Sequence, residues 1–143
     1  MINVKHVDTD QELNEAFFIR EKVYIEEQQI DRADEFDEFD KTSEHFIAHE
    51  AEVPCGTGRY RETTEGIKLE RFAVLPEFRK RGIASLIIES MLEHIKVNRT
   101  GEVKLYLNAQ LSAMPLYSKF NFKPEGERFL ECDIEHQKMS RTL

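Results

Sequence analysis

No apolar run in this chain reaches the length of a membrane span, and its start, "MINVKHVDTDQEL", lacks the basic and apolar regions of a signal peptide. Those absences predict a cytoplasmic protein that does not work in a membrane. Positive charge is scarce too: 20 Lys and Arg stand against 28 Asp and Glu, a net charge of −8. That balance disfavours nucleic acid and anionic membrane surfaces as partners, and any anion the protein binds must be held locally. Cysteine is limited to Cys55 and Cys132 with no CxxC spacing, which predicts two free, reduced thiols. With six glycines, four prolines and 40% hydrophobic residues, the composition excludes a disordered chain. A length of 143 residues suits one core and is short for two, so residues 1–143 read as a single domain.

"INVKHV" alternates as a half-buried strand does, and Asp8 to Asp10 offer caps for the helical stretch "QELNEAFFIREKVYIEE", with Leu13, Phe17 and Tyr24 on its apolar face. "QQIDRADEFDEFDKTSE" reads as an acidic loop or irregular short helix. Three strands follow, "HFIAHE", "TGRYRET" and "GIKLERFAV", joined by turns as an antiparallel meander. Beyond Pro76, a helix from Ile83 carries Leu86, Ile87, Met91 and Ile95 at helical spacing, widened by Ile88 and Leu92. "EVKLYLN" is a strand, "SAMPLYSKF" a short helix with Pro115 in its first turn, and "FLECDIEHQKM" the last strand region. This order predicts an α/β (α+β) fold, a mixed sheet with helices on both faces.

"EFRKRGIASLIIESML" concentrates charge where the main chain is barest. A helix starting near Gly82 aims unpaired backbone N–H groups at its mouth, which with the helix dipole make an anion site. Gly82 and Ala84 let phosphate oxygens approach, while Arg79, Lys80 and Arg81 supply charge. The alternative is a set of solvated cations before an ordinary helix. Neither GxxxxGK[ST] nor GxGxxG is present.

The stretch from Arg79 to Ala84, "RKRGIA", resembles the [Q/R]xxGx[G/A] pyrophosphate loop of the GNAT superfamily of N-acetyltransferases, and it follows "FAVLPEFR" as in that family. "LNAQ" and "PLYSKFNF" resemble its next strand and its tyrosine-bearing helix. "REKVYIEEQQID", "SEH", "LER" and "LNAQ" are most similar to the ElaA/YjcF-type branch. The resemblance covers residues 2–139. It implies a mostly antiparallel mixed sheet of six to seven strands with a splayed parallel pair at the cofactor site. It further implies that acetyl-CoA is the cosubstrate, with no metal. The main-chain amides of residues 79 to 84, the loop residues Arg79, Lys80, Arg81, Gly82, Ile83, Ala84 and Ser85, and also Phe72, Ala73, Val74, Asn108, Pro115, Tyr117 and Lys119 would then bind it. Many proteins of this fold are dimers, which leaves a homodimer open. Two departures stand out: Asn121-Phe122 replaces the family's "GF", with asparagine suited to the same left-handed turn, and "CDIEH" lacks the branch's glycine before "IPH".

Acetyl transfer to an amine requires a neutral amine, a polarised thioester and a proton for the departing thiolate. Tyr117 is the candidate acid, or else a packed aromatic. Glu70 is the candidate base, placed by alternation on the face of Phe72 and Val74; otherwise it is an ion-pair partner of Arg59 or of a neighbour of Arg71. Glu27, Gln28 and His136 are acceptor-site candidates by family position. The six carboxylates of "DRADEFDEFD" are a solvated segment or, over the acceptor channel, an attraction for cationic amines. His45 and His49 lie four apart on a strand with no third ligand nearby, so no metal is expected. The resulting expectation is direct transfer from acetyl-CoA to a primary amine of a small molecule or peptide, the alternative being a non-catalytic acyl-CoA binding module.

Overall fold

Period-2 alternation produces β1 (Ile2–His6), with an alternating burial pattern along its length. In the computed structural model, which describes all of residues 1–143, it pairs antiparallel with β2 (Glu44–Glu50). Next come β3 (Val53–Glu62) and β4 (Ile67–Val74), completing the meander. β4 then pairs parallel with β5 (Lys104–Gln110), which pairs antiparallel with β8 (Ile134–Thr142); two short strands, β6 (Lys123–Pro124) and β7 (Phe129–Glu131), both pair with β8. The sheet therefore has eight strands, one more than the upper expectation, because β6 and β7 are too short to show a period in sequence. No helix is long and apolar enough to cross a membrane.

On one face lies α3 (Ile83–Asn98), which buries Ile83, Ile87, Ile88, Met91 and Ile95 against Phe46, Tyr60, Leu69 and Leu107. Burying each such side chain is worth about 1.5–3 kcal/mol, so this layer is the main hydrophobic source of stability. Leu86, expected on the buried stripe, is 37% exposed.

The other face carries α1 (Asp10–Arg20), capped by Thr9, whose hydroxyl accepts from the Glu12 amide. The expected apolar face of Leu13, Phe17 and Tyr24 is not the buried one. Ala16, Ile19, Arg20 and Val23 are buried instead. After Arg20 the helix widens into a π-helix over Glu21–Glu27, closed by the Gln28 amide on the Val23 carbonyl. The extra residue per turn changes the direction in which Tyr24 and Gln28 project, a common device at functional sites.

Arg20 is buried because the acidic segment neutralises it. That segment forms α2 (Arg32–Glu35) and a 3-10 turn over Glu38–Lys41. The Arg20 guanidinium donates to Glu35 at 2.8 Å and to Asp40 at 2.6 Å. Arg59 on β3 donates to Asp40 at 2.5 Å and to Asp37 and Glu70. The segment is therefore not simply solvated: Glu35, Asp37 and Asp40 offset buried arginines, an arrangement that keeps those cations tolerable away from water.

Candidate functional site

The parallel pairing of β4 with β5 is confined to Ile67 with Leu105 and Lys68 with Tyr106. Beyond that point the two strands no longer pair with each other, though β4 stays bonded to β3 and β5 to β8, and a cavity of about 190 Å³ opens between them. Backbone groups released by the splay face this cleft rather than each other.

A β-bulge shapes the cleft's β4 wall. Thr57 pairs with Ala73 and Arg59 with Glu70, so Gly58 faces two residues, Arg71 and Phe72, and Arg71 takes φ +60°. The bulge resets the alternation, and this corrects the placement of Glu70. Leu69, Phe72 and Val74 pack on the α3 side, with the Phe72 ring filling the space where a Cβ on Gly58 would stand, 2.8 Å away. Glu70 and Ala73 lie on the α1 side.

There the Glu70 carboxylate is fully engaged. It accepts from Arg59 at 2.7 Å, from Arg61 at 2.7 Å, and lies 3.3 Å from Lys68. Burial alone would raise its pKa, but the Arg59, Lys68 and Arg61 cations outweigh that and hold it at about 2. The ion-pair role is the one the structure displays. Glu35 differs: burial pushes its carboxyl up, opposed by Arg71 and Arg20.

Tyr117 stands on α4 (Met114–Ser118), with Pro115 in the first turn. The turn that follows closes through Asn121 at φ +69°, as asparagine's tolerance of the left-handed region allows, and the Phe122 amide donates to the Tyr117 carbonyl at 3.2 Å. The Tyr117 ring lies 5.8 Å from that of Phe72 and 6.4 Å from that of Phe122. Its hydroxyl has no protein partner and is open to the cleft, and burial pushes its pKa up, so it keeps its proton through the neutral range. Asn108 also lines the cleft.

Gln28 lines the cleft and accepts from the Gln110 side-chain amide at 3.0 Å, while His136 lies opposite Gln110 on β8. Glu27 does not join them. Its carboxylate takes two hydrogen bonds from Arg79, at 2.7 and 2.6 Å. Residues that the sequence does not assign to the site line it too, among them Tyr24, whose hydroxyl donates to the Phe72 carbonyl within the bulge, and Cys132. Cys132 at φ +52° and Asp133 at φ +61° form the two-residue turn between β7 and β8, so this turn closes with two non-glycine residues in the left-handed region. A β-bulge and a π-helix leave no compositional signature, so the sequence places Tyr24 only on the apolar face of its helix.

The loop before α3 has an unusual backbone. The Arg79 amide donates to the Pro76 carbonyl, but the amides of residues 80 to 85 have no intramolecular acceptor. The free row is thus displaced by one residue from the expected 79 to 84. Lys80 at φ +65° and Gly82 at φ +78° curve the chain, and a Cβ on Gly82 would meet nothing within 4 Å. Six amides without an intramolecular acceptor thus lie beside open space at the positive end of a four-turn helix, a setting that favours an anion. The side-chain charge is less free than the sequence implied: Arg79 is paired with Glu27 and Arg81 with Glu50 at 2.9 Å, leaving Lys80 unpaired. Ile83 is buried in the core, Ala84 and Ser85 are half-buried, and Ala73, Val74, Pro115 and Lys119 do not line the cleft.

Residues 9–143 match the family model described as an acetyltransferase (GNAT) domain. The uncharacterized N-acetyltransferase YjcF of Bacillus subtilis is 35% identical, over 92% of this chain and 94% of its own. Escherichia coli ElaA superposes with a TM-score of 0.87 at 21% identity, covering 99% of each chain. A GNAT family acetyltransferase from Elizabethkingia anophelis, solved with acetyl-CoA bound, has a TM-score of 0.75 at 14% identity over 99% of this chain and 98% of its own.

Proposed function

The chain belongs to the GNAT acetyltransferase family and is an acyltransferase, and from that premise we propose that it moves the acetyl group of acetyl-CoA directly onto a primary amine of a small molecule or peptide. The observation that carries this reading is the row of unpartnered amides at residues 80 to 85, placed on the strand–helix junction that leads out of the splayed cleft. Acetyl-CoA supplies an activated acyl group and a thiol that leaves as a thiolate.

The chain's own groups divide the remaining work. The loop amides and Lys80 hold the diphosphate, with Gly82 keeping its approach clear. Phe72 and Asn108 line the passage where the strands part. The Tyr117 hydroxyl, protonated and without a partner, is available to the sulfur as negative charge develops there. Gln28 and Gln110 flank the acceptor side. Both reactants occupy the cleft together, so no acyl-enzyme is needed. Cys55 is buried with its thiol on the Ala48 carbonyl, and the Cys132 thiol is pushed up by burial, then by Asp34 and Glu131, away from nucleophilic thiolate character.

The test is a coupled thiol-release assay with acetyl-CoA against a panel of primary amines, with product mass confirming one added acetyl group. Amine-dependent thiol release is expected. Thiol release without acetylated amine would contradict the reading.

A further inference from the structure

Most titratable groups in the cleft are already committed. Glu70 is held by Arg59, Arg61 and Lys68, Glu35 by Arg20, and the Tyr24 hydroxyl by the Phe72 carbonyl. His136 is held too, but in a way that leaves its second nitrogen free. Its Nδ1 lies 2.7 Å from the Ile134 carbonyl oxygen, which can only accept, so Nδ1 carries the hydrogen. The neutral ring then presents Nε2 as a bare lone pair. That atom has no protein partner and is not sealed from solvent, while the residue is only 8% exposed and lines the cleft. The Phe129 ring stacks on the imidazole, centroids 5.8 Å apart at 23°, and fixes its plane. Orientation from both sides and one open basic atom are what a proton acceptor requires.

We infer that His136 is the general base of the transfer, taking through Nε2 a proton from the ammonium form of the acceptor; this rests on the acetyl-transfer reading above. The ammonium gives one proton to Nε2. The neutral amine then forms the C–N bond as the C–S bond breaks, and the sulfur takes the Tyr117 proton. The nitrogen's second surplus proton returns to Tyr117 through water, and the imidazolium releases its own to solvent, so one proton is liberated per amide formed. The rim carboxylates Asp34 and Glu131 also face the cleft. Of these cleft groups, the imidazole is the side-chain type most often used as a general base near neutrality, and its open nitrogen is held in a fixed plane.

The test compares ethylamine with trifluoroethylamine at about pH 7.5, where the first is almost wholly ammonium and the second almost wholly free amine. His136→Asn is the variant, because its side-chain amide reproduces the Nδ1 donor to Ile134 and lacks Nε2. kcat/KM for ethylamine is expected to fall by about a hundredfold or more, that for trifluoroethylamine by less than about threefold, with acetyl-CoA affinity unchanged. Equal losses for the two amines, or none, would overturn the base role. If His136→Asn loses acetyl-CoA binding, His136→Gln decides by the same comparison. A wild type that binds acetyl-CoA yet acetylates neither amine would overturn the transfer reading, and the base with it.

Discussion

The Arg79 guanidinium grips the Glu27 carboxylate at 2.7 and 2.6 Å, with its Nε on the Val74 carbonyl, and so ties the end of the π-helix to the loop that precedes α3. The pair is well exposed, so it adds little to stability. It does place a carboxylate beside an anion cradle and occupies one of its cations. Glu27→Gln is expected to tighten acetyl-CoA binding by roughly threefold to tenfold, with a steeper salt dependence, and to move Tm little. Titration calorimetry at two ionic strengths checks this.

Arg20 is 1% exposed, with Glu35 and Asp40 on its guanidinium. Arg20→Ala leaves two buried carboxylates short of a partner and should destabilise the fold by about 3–5 kcal/mol. Denaturant unfolding measures it. A loss under about 1 kcal/mol would mean that water replaces the guanidinium.

Glu70 has a pKa of about 2 in the fold against an ordinary 4.5, and Asp37 about 2 against 3.8. For a depressed carboxyl, the stability is present above the unfolded value and is lost as pH falls toward the folded one. At 1.4 kcal/mol per unit, Glu70 contributes roughly 3 kcal/mol. Stability should therefore decline between about pH 4.5 and 2, and Glu70→Gln should lower stability at pH 7 while flattening that decline. Glu35 has the opposite sign, since its raised pKa makes the charged form the costly one. The same variant separates two roles: an ion-pair residue loses stability, whereas a base would lose turnover at unchanged stability.

Much of this architecture could be read from residue patterns. The meander, α3, the parallel strand after it, the loop at Gly82 and the tyrosine helix all carry local signatures: alternation, helical spacing, a left-handed glycine, a proline in a first turn. Others did not, the short strands β6 and β7 and the π-helix among them. The bulge at Arg71 puts a non-glycine residue at φ +60°, which alternation cannot anticipate, so alternation alone puts Glu70 on the wrong face. The acidic segment read as solvated because its partners, Arg20, Arg59 and Arg71, are distant in sequence. Pairing across such separations is set by tertiary packing.

Tyr117→Phe deletes only a hydroxyl that has no protein partner, so the fold should be unaffected. Acetyl-CoA affinity should stay within about twofold while kcat falls by about a hundredfold or more. Unchanged kcat would reduce Tyr117 to a packed aromatic.

The most direct measurement is the equilibrium affinity of acetyl-CoA for the wild type beside Gly82→Glu. The glutamate enters a position at φ +78° with open space before it, placing bulk and negative charge over the six free amides. Micromolar binding by the wild type and a loss of about a hundredfold or more in the variant is the predicted result. Equal affinity in the two proteins would contradict the diphosphate cradle.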